Sequence, residues 1–229
     1  MKQKNDFIAG MKNSFPIIMG YIPIGITYGI LASQAGLNII TTVSMSLIVF
    51  AGSSQFICID MINNGAATLA IIIMTFLVNL RHLLMSASLS LHFKKSNAKI
   101  LPLLSFFITD ESFAVGSAEI NNYEHRDYFF LGLGITAYLG WVISSFIGVS
   151  LGNIIPAIDS IGLNFVLPAM FIVLLVLQIQ NRLDIFISII SGMISIVFIY
   201  LLPGNWNVIL ATIIAASLGV VIERWNPGT

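Results

Sequence analysis

The sequence predicts an all-α, polytopic integral membrane protein: a helical bundle of about seven transmembrane spans. Three observations lead there. Hydrophobic residues make up 57% of the 229 positions and charged residues only 9%, where a soluble domain carries about 25% charged residues. Between Lys12 and Asp60 there is no Asp, Glu, Lys, Arg or His. Seven or eight apolar segments, each near the roughly 20 residues that a helix needs to cross a bilayer, then fill the chain from end to end. Residues 1–229 read as one membrane domain.

Composition also excludes functions. Ten basic residues balance ten acidic ones, which argues against a nucleic-acid partner. A single cysteine, Cys58, allows neither a disulfide framework nor a thiolate metal site. The chain has no His-Glu-x-x-His, no Gly-x-Ser-x-Gly, no Walker loop and no cofactor fingerprint. The expectation is a protein that is not an enzyme and holds no metal or cofactor. Lys2, Lys4 and Lys12 before an apolar run imitate a signal peptide, but that run outlasts an ordinary signal core of about 7–15 residues.

The first segment, about 14–33, carries Pro16, Gly20, Pro23, Gly25 and Gly29. Proline removes a helical hydrogen bond and crowds the preceding turn, so a kink or break is expected near Pro23. The second, about 39–60, has the small and polar run Ala51-Gly52-Ser53-Ser54-Gln55, which permits close backbone approach or local unwinding. The third, about 66–92, contains Asn79, Arg81 and His82. The fourth, about 100–118, contains Asp110 and Glu111, and an acidic loop over 119–127 follows it. The fifth, about 128–152, repeats small residues every fourth position, Thr136, Gly140, Ser144, Gly148 and Gly152, a packing face in part for another subunit. Segments six, seven and eight cover about 163–180, 184–202 and 207–222. Trp141, Trp206 and Trp225 are expected as interfacial anchors.

The charge rule for orientation places basic loops in the cytoplasm. It puts both the amino-terminal lysines and the Lys94–Lys99 loop there, and the acidic 119–127 loop outside. Three full crossings cannot join two cytoplasmic ends. One of the first two segments is therefore expected to be broken or re-entrant, and such backbone is tolerated only where protein or a polar cavity covers it. A weak internal repeat accompanies this: Gly36-Leu37-Asn38 returns as Gly162-Leu163-Asn164, and Gly25-Ile26-Thr27 as Gly134-Ile135-Thr136. Transporters are often built from such repeats.

A charge at mid-membrane costs about 2.5–3.5 kcal/mol on insertion scales, so intramembrane ionisable groups read as functional by default. Arg81 keeps its proton and needs an anion, carbonyls or water. Asp110 and Glu111 diverge by about 100° on a helix, so only one can face Arg81, and Asp110 is the choice. A structural ion pair joining two helices is the competing explanation. Three walls are expected for a substrate site: Arg81 with Asn79, the pair Asp110 and Glu111, and the break-prone region of Pro23 and Gly52, Ser53, Ser54 and Gln55. Asp110, Glu111 and His82 are the candidates for proton coupling.

The stretches Pro23-Ile24-Gly25, Phe50-Ala51-Gly52-Ser53-Ser54-Gln55-Phe56, Asn79-Leu80-Arg81-His82 and Thr109-Asp110-Glu111-Ser112-Phe113, in that order and spacing, resemble the AzlC family of branched-chain amino-acid permeases. The resemblance covers nearly the whole chain. It implies export of small apolar amino acids across the bacterial plasma membrane by a multi-pass protein working with a small, separately encoded AzlD-like membrane subunit. A channel-like or uptake protein for another small solute, or a membrane scaffold that moves nothing, are the alternative readings.

Overall fold

A computed structural model describes residues 2–94, 96–152 and 182–201, together with isolated positions between 165 and 219. The described residues form helices and turns without a strand: α1 (Lys2–Asn13), α2 (Phe15–Gln34), α3 (Ile39–Ile48), α4 (Gly52–Asn63), α5 (Thr68–Ser90), α6 (Leu101–Phe106), α7 (Asp110–Glu119), α8 (Arg126–Leu151) and α9 (Arg182–Leu201). Most of segments six and eight, the Gly162-Leu163-Asn164 half of one repeat, Trp206 and Trp225 lie outside the described residues.

Among the described residues, three helices are long and apolar enough to cross a bilayer: α2, α5 with its terminal 3₁₀ turn to Phe93, and α8. α2 and α8 lie side by side and run the same way. Gly10 packs on the backbone at Phe129, Gly25 on Ser144, Gly29 on Val149 and Gly152 on Ser33. The small-residue ladder of the fifth segment is thus spent largely within the chain, where it lets two backbones approach closely. Pro23 does not break α2, which is helical from Phe15 to Gln34. Its ring lies on an exposed face, and Thr27 Oγ1 donates to its carbonyl at 2.9 Å. The amide that Pro23 lacks would have bonded the Met19 carbonyl, and membrane helices tolerate that loss through local adjustment of the backbone.

The break expected in the first third falls in segment two, between α3 and α4. Asn38 caps α3 by accepting from the Thr41 amide at 2.8 Å. Along α3, Thr42 meets Tyr28, Ser46 meets Ser145 and Leu47 meets Tyr138, so α3 descends against α2 and α8. The chain then turns at Phe50, which adopts a positive φ of 43°, and Ala51. α4 climbs back: Phe50 packs against Tyr21, while Phe56 packs against Tyr28, two turns further along α2. Segment two is a re-entrant hairpin, not a crossing. Its two ends close on matching turns, in which Gly36 (φ 82°) and Gly65 (φ 67°) take the left-handed conformation that ends a helix. Leu37 N donates to Ala32 O and Ala66 N to Met61 O, the bonds of a Schellman cap.

α5 descends antiparallel to α4, pairing Ser54 with Asn79 and bringing Met61 and Met74 into one cluster, and it ends with Phe93 packed on Phe130, near the start of α8. Segment four then repeats the manoeuvre from the other side. α6 rises to bring Phe106 against Tyr138, the backbone turns through Phe107–Thr109, and α7 returns until Gly116 packs on Phe130. Two segments reverse where one was expected, so the first five segments give three crossings rather than four.

This topology resolves the orientation conflict and corrects one part of it. The amino terminus and the loop after Phe93 share a face, as their lysines suggested. The acidic loop shares it too, because α7 returns to its own side. Lys2 Nζ meets Glu124 Oε2 at 2.8 Å, and the Asp6 carboxylate accepts from the His125 amide at 2.9 Å. Their hydrogen bond and attraction hold the Lys2 ammonium above, and the Glu124 carboxyl below, their ordinary values. Trp141 is no interfacial anchor. It sits at the middle of α8, 2% exposed.

Candidate functional site

The tips of the two hairpins meet at mid-depth, and α5 passes Arg81 between them. Arg81 Nη1 lies 2.7 Å from Asp110 Oδ2, at the first turn of α7. Its Nη2 donates to Ser53 Oγ, at the first turn of α4. One guanidinium therefore bridges the starts of both returning half-helices. Its fork of donors at fixed angles makes this possible, where an ammonium would be a single point charge. The side chains keep 27% and 20% of their surface exposed, and Arg81 Nε is buried with no hydrogen-bond partner among the described residues.

The two half-helices begin differently. α7 has a full capping box: Thr109 Oγ1 accepts from Ser112 N at 3.2 Å, and Ser112 Oγ accepts from Thr109 N at 2.8 Å. Asp110 and Glu111 occupy its first turn, where the helix dipole favours negative charge. α4 has no side-chain cap, since Ala51 has none to offer. Its first amides are thus available to an anion at the same point where Arg81 supplies positive charge.

Glu111 takes the other direction, as consecutive helical residues must. Tyr21, 5% exposed on α2, donates from its hydroxyl to Glu111 Oε2 at 2.8 Å and meets Thr109 Oγ1 at 2.8 Å. Tyr21 has one hydroxyl proton, and it goes to the carboxylate. Thr109 must then donate its own proton to the Tyr21 oxygen.

These groups surround a cavity of about 30 Å³, roughly the share of one water in the liquid. Ser53, Arg81, His82, Thr109, Asp110 and Glu111 form its polar wall; Tyr21, Ile24, Phe50, Ala51, Gly52 and Trp141 form the other. Ligand pockets run to about 300–1,000 Å³, so this cavity is much smaller than a site holding a ligand. Phe50 and Trp141 are held rigidly on the apolar side. Phe50 packs on Tyr138 with ring centroids 5.1 Å apart, and Trp141 on Tyr21 at 5.2 Å.

Of the residues chosen from sequence, Gly52, Ser53, Arg81, His82, Asp110 and Glu111 line the cavity. Ser54, Gln55 and Asn79 stand behind it. Asn79 Nδ2 donates to Ser54 Oγ at 3.2 Å, and Ser54 donates to Ala51 O at 2.9 Å. Gln55 is buried in a closed circuit: Trp141 Nε1 donates to its Oε1 at 3.0 Å, and its Nε2 donates to Ser46 at 3.0 Å. Ser46 donates to Ser145 at 2.9 Å, and Ser145 to Trp141 O at 2.7 Å. This circuit holds the first turn of α4 against α8. Pro23 lies apart from the cavity, because an unbroken α2 turns it to the exposed side.

Sequence reasoning missed Tyr21, Phe50, Thr109 and Trp141 as members of the site, and missed the second hairpin. A signal was present. Phe50-Ala51-Gly52-Ser53-Ser54-Gln55-Phe56 and Phe107-Ile108-Thr109-Asp110-Glu111-Ser112-Phe113 align at an offset of 57 residues, which pairs Ser53 with Asp110, the two residues that hold Arg81. The repeat runs through the hairpins, in opposite orientations. It is not the one built on Gly25 and Gly134, which pack on unrelated partners, Ser144 and Phe107.

Residues 16–155, which contain both hairpins and Arg81, match the family model described as AzlC protein. The chain belongs to the AzlC family. A relative from Archaeoglobus fulgidus, called an uncharacterized membrane protein, is 33% identical over 223 residues, 96% of this chain and 95% of that protein. The inner membrane protein YgaZ of Escherichia coli K12 is 28% identical, covering 97% and 92%. The branched-chain amino acid transport protein AzlC of Bacillus subtilis 168 is 27% identical, covering 99% and 90%. No solved structure gives a significant match.

Proposed function

We propose that this AzlC-family membrane protein is a secondary active exporter of branched-chain amino acids, with substrate bound between the two hairpin tips. The observation that carries the reading is the bridge from Arg81 to Ser53 and Asp110 beside the uncapped start of α4. An aliphatic amino acid is a zwitterion with an apolar tail. Its carboxylate suits Arg81 and the first amides of α4. Its ammonium suits Asp110 and Glu111, and its tail suits the wall of Ile24, Phe50 and Trp141. Leucine, isoleucine and valine fit this description, and the printed name of the Bacillus relative points to the same class.

In this reading the amino terminus and both loops on its face are cytoplasmic in a bacterial plasma membrane, and the site opens alternately to the two sides. A small AzlD-like membrane subunit completes the exporter, and proton coupling drives it. No bond of the substrate is made or broken. The test is efflux from cells preloaded with labelled leucine, isoleucine or valine, with and without this protein and its partner. Faster loss from the expressing cells is expected. Equal rates would overturn the proposal.

A further inference from the structure

The charges that line the cavity do not sum to zero. Arg81 contributes one positive charge and Asp110 one negative charge, and the two are paired at 2.7 Å. Glu111 also lines the cavity, and among the described residues no cation pairs with it. Its hydrogen-bond partner is the neutral hydroxyl of Tyr21. The other titratable group on the wall, His82, donates from Nδ1 to the Asn79 carbonyl of its own helix at 3.1 Å, since a carbonyl can only accept. α4 and α8 contribute Gly52, Ser53 and Trp141, which carry no charge. With Glu111 ionised and His82 neutral, the empty site holds one net negative charge at mid-membrane. A bound zwitterion adds nothing to that total.

An isolated charge is costly there, and protonation is the direct way to remove it. Asp110 is the wrong carboxylate for this, because a proton on it would strand the Arg81 guanidinium. Glu111 loses no ion pair on protonation. Its hydrogen bond to Tyr21 simply reverses: the acid donates to the Tyr21 oxygen, and Tyr21 turns its own proton toward Thr109 Oγ1, 2.8 Å away. That chain links the protonation of Glu111 to the cap of α7 and so to the geometry of the second hairpin.

We propose that Glu111 is the carboxylate whose protonation couples transport to the proton gradient, and that Tyr21 is the positioning residue that holds it and passes its state to the tip of the second hairpin. This rests on the transport reading above. The empty site changes sides with the proton on Glu111; at the cytoplasmic face that proton leaves and the substrate ammonium meets the ionised carboxylate for the outward step, so proton and amino acid move in opposite directions.

The experiment uses the full chain, co-expressed with its partner, in vesicles. Two fluxes are compared: exchange of labelled leucine at equal pH, and net flux under an imposed gradient of about one pH unit, a tenfold bias for one coupled proton. In the wild type, the gradient should stimulate net flux severalfold. In Glu111→Gln, the stimulation of whatever exchange remains should fall to about one, because glutamine imitates the protonated acid and neither takes up nor releases a proton. His82→Gln should retain the stimulation. Tyr21→Phe removes a donor that favours the ionised carboxylate, so its flux profile should move to higher pH. That variant carries the test if Glu111→Gln does not assemble or exchanges nothing. Wild-type exchange without stimulation, full stimulation in Glu111→Gln, its loss in His82→Gln, or an unmoved profile in Tyr21→Phe would each overturn the assignment. Absence of exchange in the wild type would instead overturn the transport reading itself.

Discussion

The ring centroids of Phe50 and Phe106 lie 6.2 Å apart, although the hairpins that carry them enter from opposite faces of the protein. That contact marks the depth at which both segments reverse. Arg81 is held there, between the first turns of α4 and α7, and the following expectations concern how that arrangement is kept.

Removing either partner of the bridge should cost more than removing both. Asp110→Ala leaves a guanidinium without its counter-charge, and loss of one member of a buried pair costs about 3–5 kcal/mol. The partial exposure of both side chains argues for the lower end of that range. Arg81→Ala with Asp110→Ala should therefore unfold in detergent at a higher temperature than Asp110→Ala alone, and neither should support leucine flux. A double variant less stable than the single one would show that the pair is not the relevant interaction.

The turn at Phe50 makes an unusual prediction about glycine. A side chain in the left-handed region costs roughly 1–2 kcal/mol, a penalty that glycine escapes. Phe50→Gly and Phe50→Ala lose the same ring contacts, so glycine should be the more stable of the two despite its greater freedom when unfolded. Thermal unfolding of the pair decides it, and a more stable alanine variant would place the reversal elsewhere.

Close packing of α2 on α8 should be intolerant of one added carbon. A methyl at Gly148 would run into the Ile26 carbonyl, whereas one at Gly20 meets nothing within 4 Å. Gly148→Ala should lower stability by about 1–3 kcal/mol, and Gly20→Ala should leave it the same or slightly higher. Similar melting of the two variants would contradict the parallel contact of these helices.

Topology can be read by side-specific labelling in a Cys58→Ala background. Cysteines placed at Lys4, Lys99 and Asn121 should react with an impermeant thiol reagent from one side of the membrane, and cysteines at Gln34 and Asn63 from the other. Opposite labelling of Lys99→Cys and Asn121→Cys would mean that segment four crosses fully.

How far the sequence could have led is clear from particular residues. Composition and the 47 residues without a charge from 13 to 59 identify membrane helices because burying charge in lipid is costly, whatever the fold. Arg81, Asp110 and Glu111 stand out for the same reason. The lysines at both ends of the first three segments correctly required a reversal, but proline is a poor guide to where. Pro23 is absorbed by a continuous α2, while Phe50, which no propensity marks as a breaker, takes the positive φ. The second reversal was written in Thr109-Asp110-Glu111-Ser112, an N-cap followed by acids and a capping partner, which is a helix start in the middle of an apolar run. Hydropathy conceals it, because two half-helices and one whole span have the same composition. Tyr21 and Trp141 could not be assigned locally. Their roles depend on Glu111 and Gln55, which lie 90 and 86 residues away in the chain.

The central claim is that the cavity around Arg81 binds a branched-chain amino acid. The most direct measurement is exchange of labelled leucine by vesicles containing the wild type or Arg81→Lys, each with its partner. Lysine keeps the positive charge but cannot reach Ser53, Asp110 and a substrate carboxylate with one planar fork. Exchange in the wild type, competed by valine and isoleucine and reduced at least about tenfold in Arg81→Lys, is the predicted result. Equal exchange by the two proteins would contradict it.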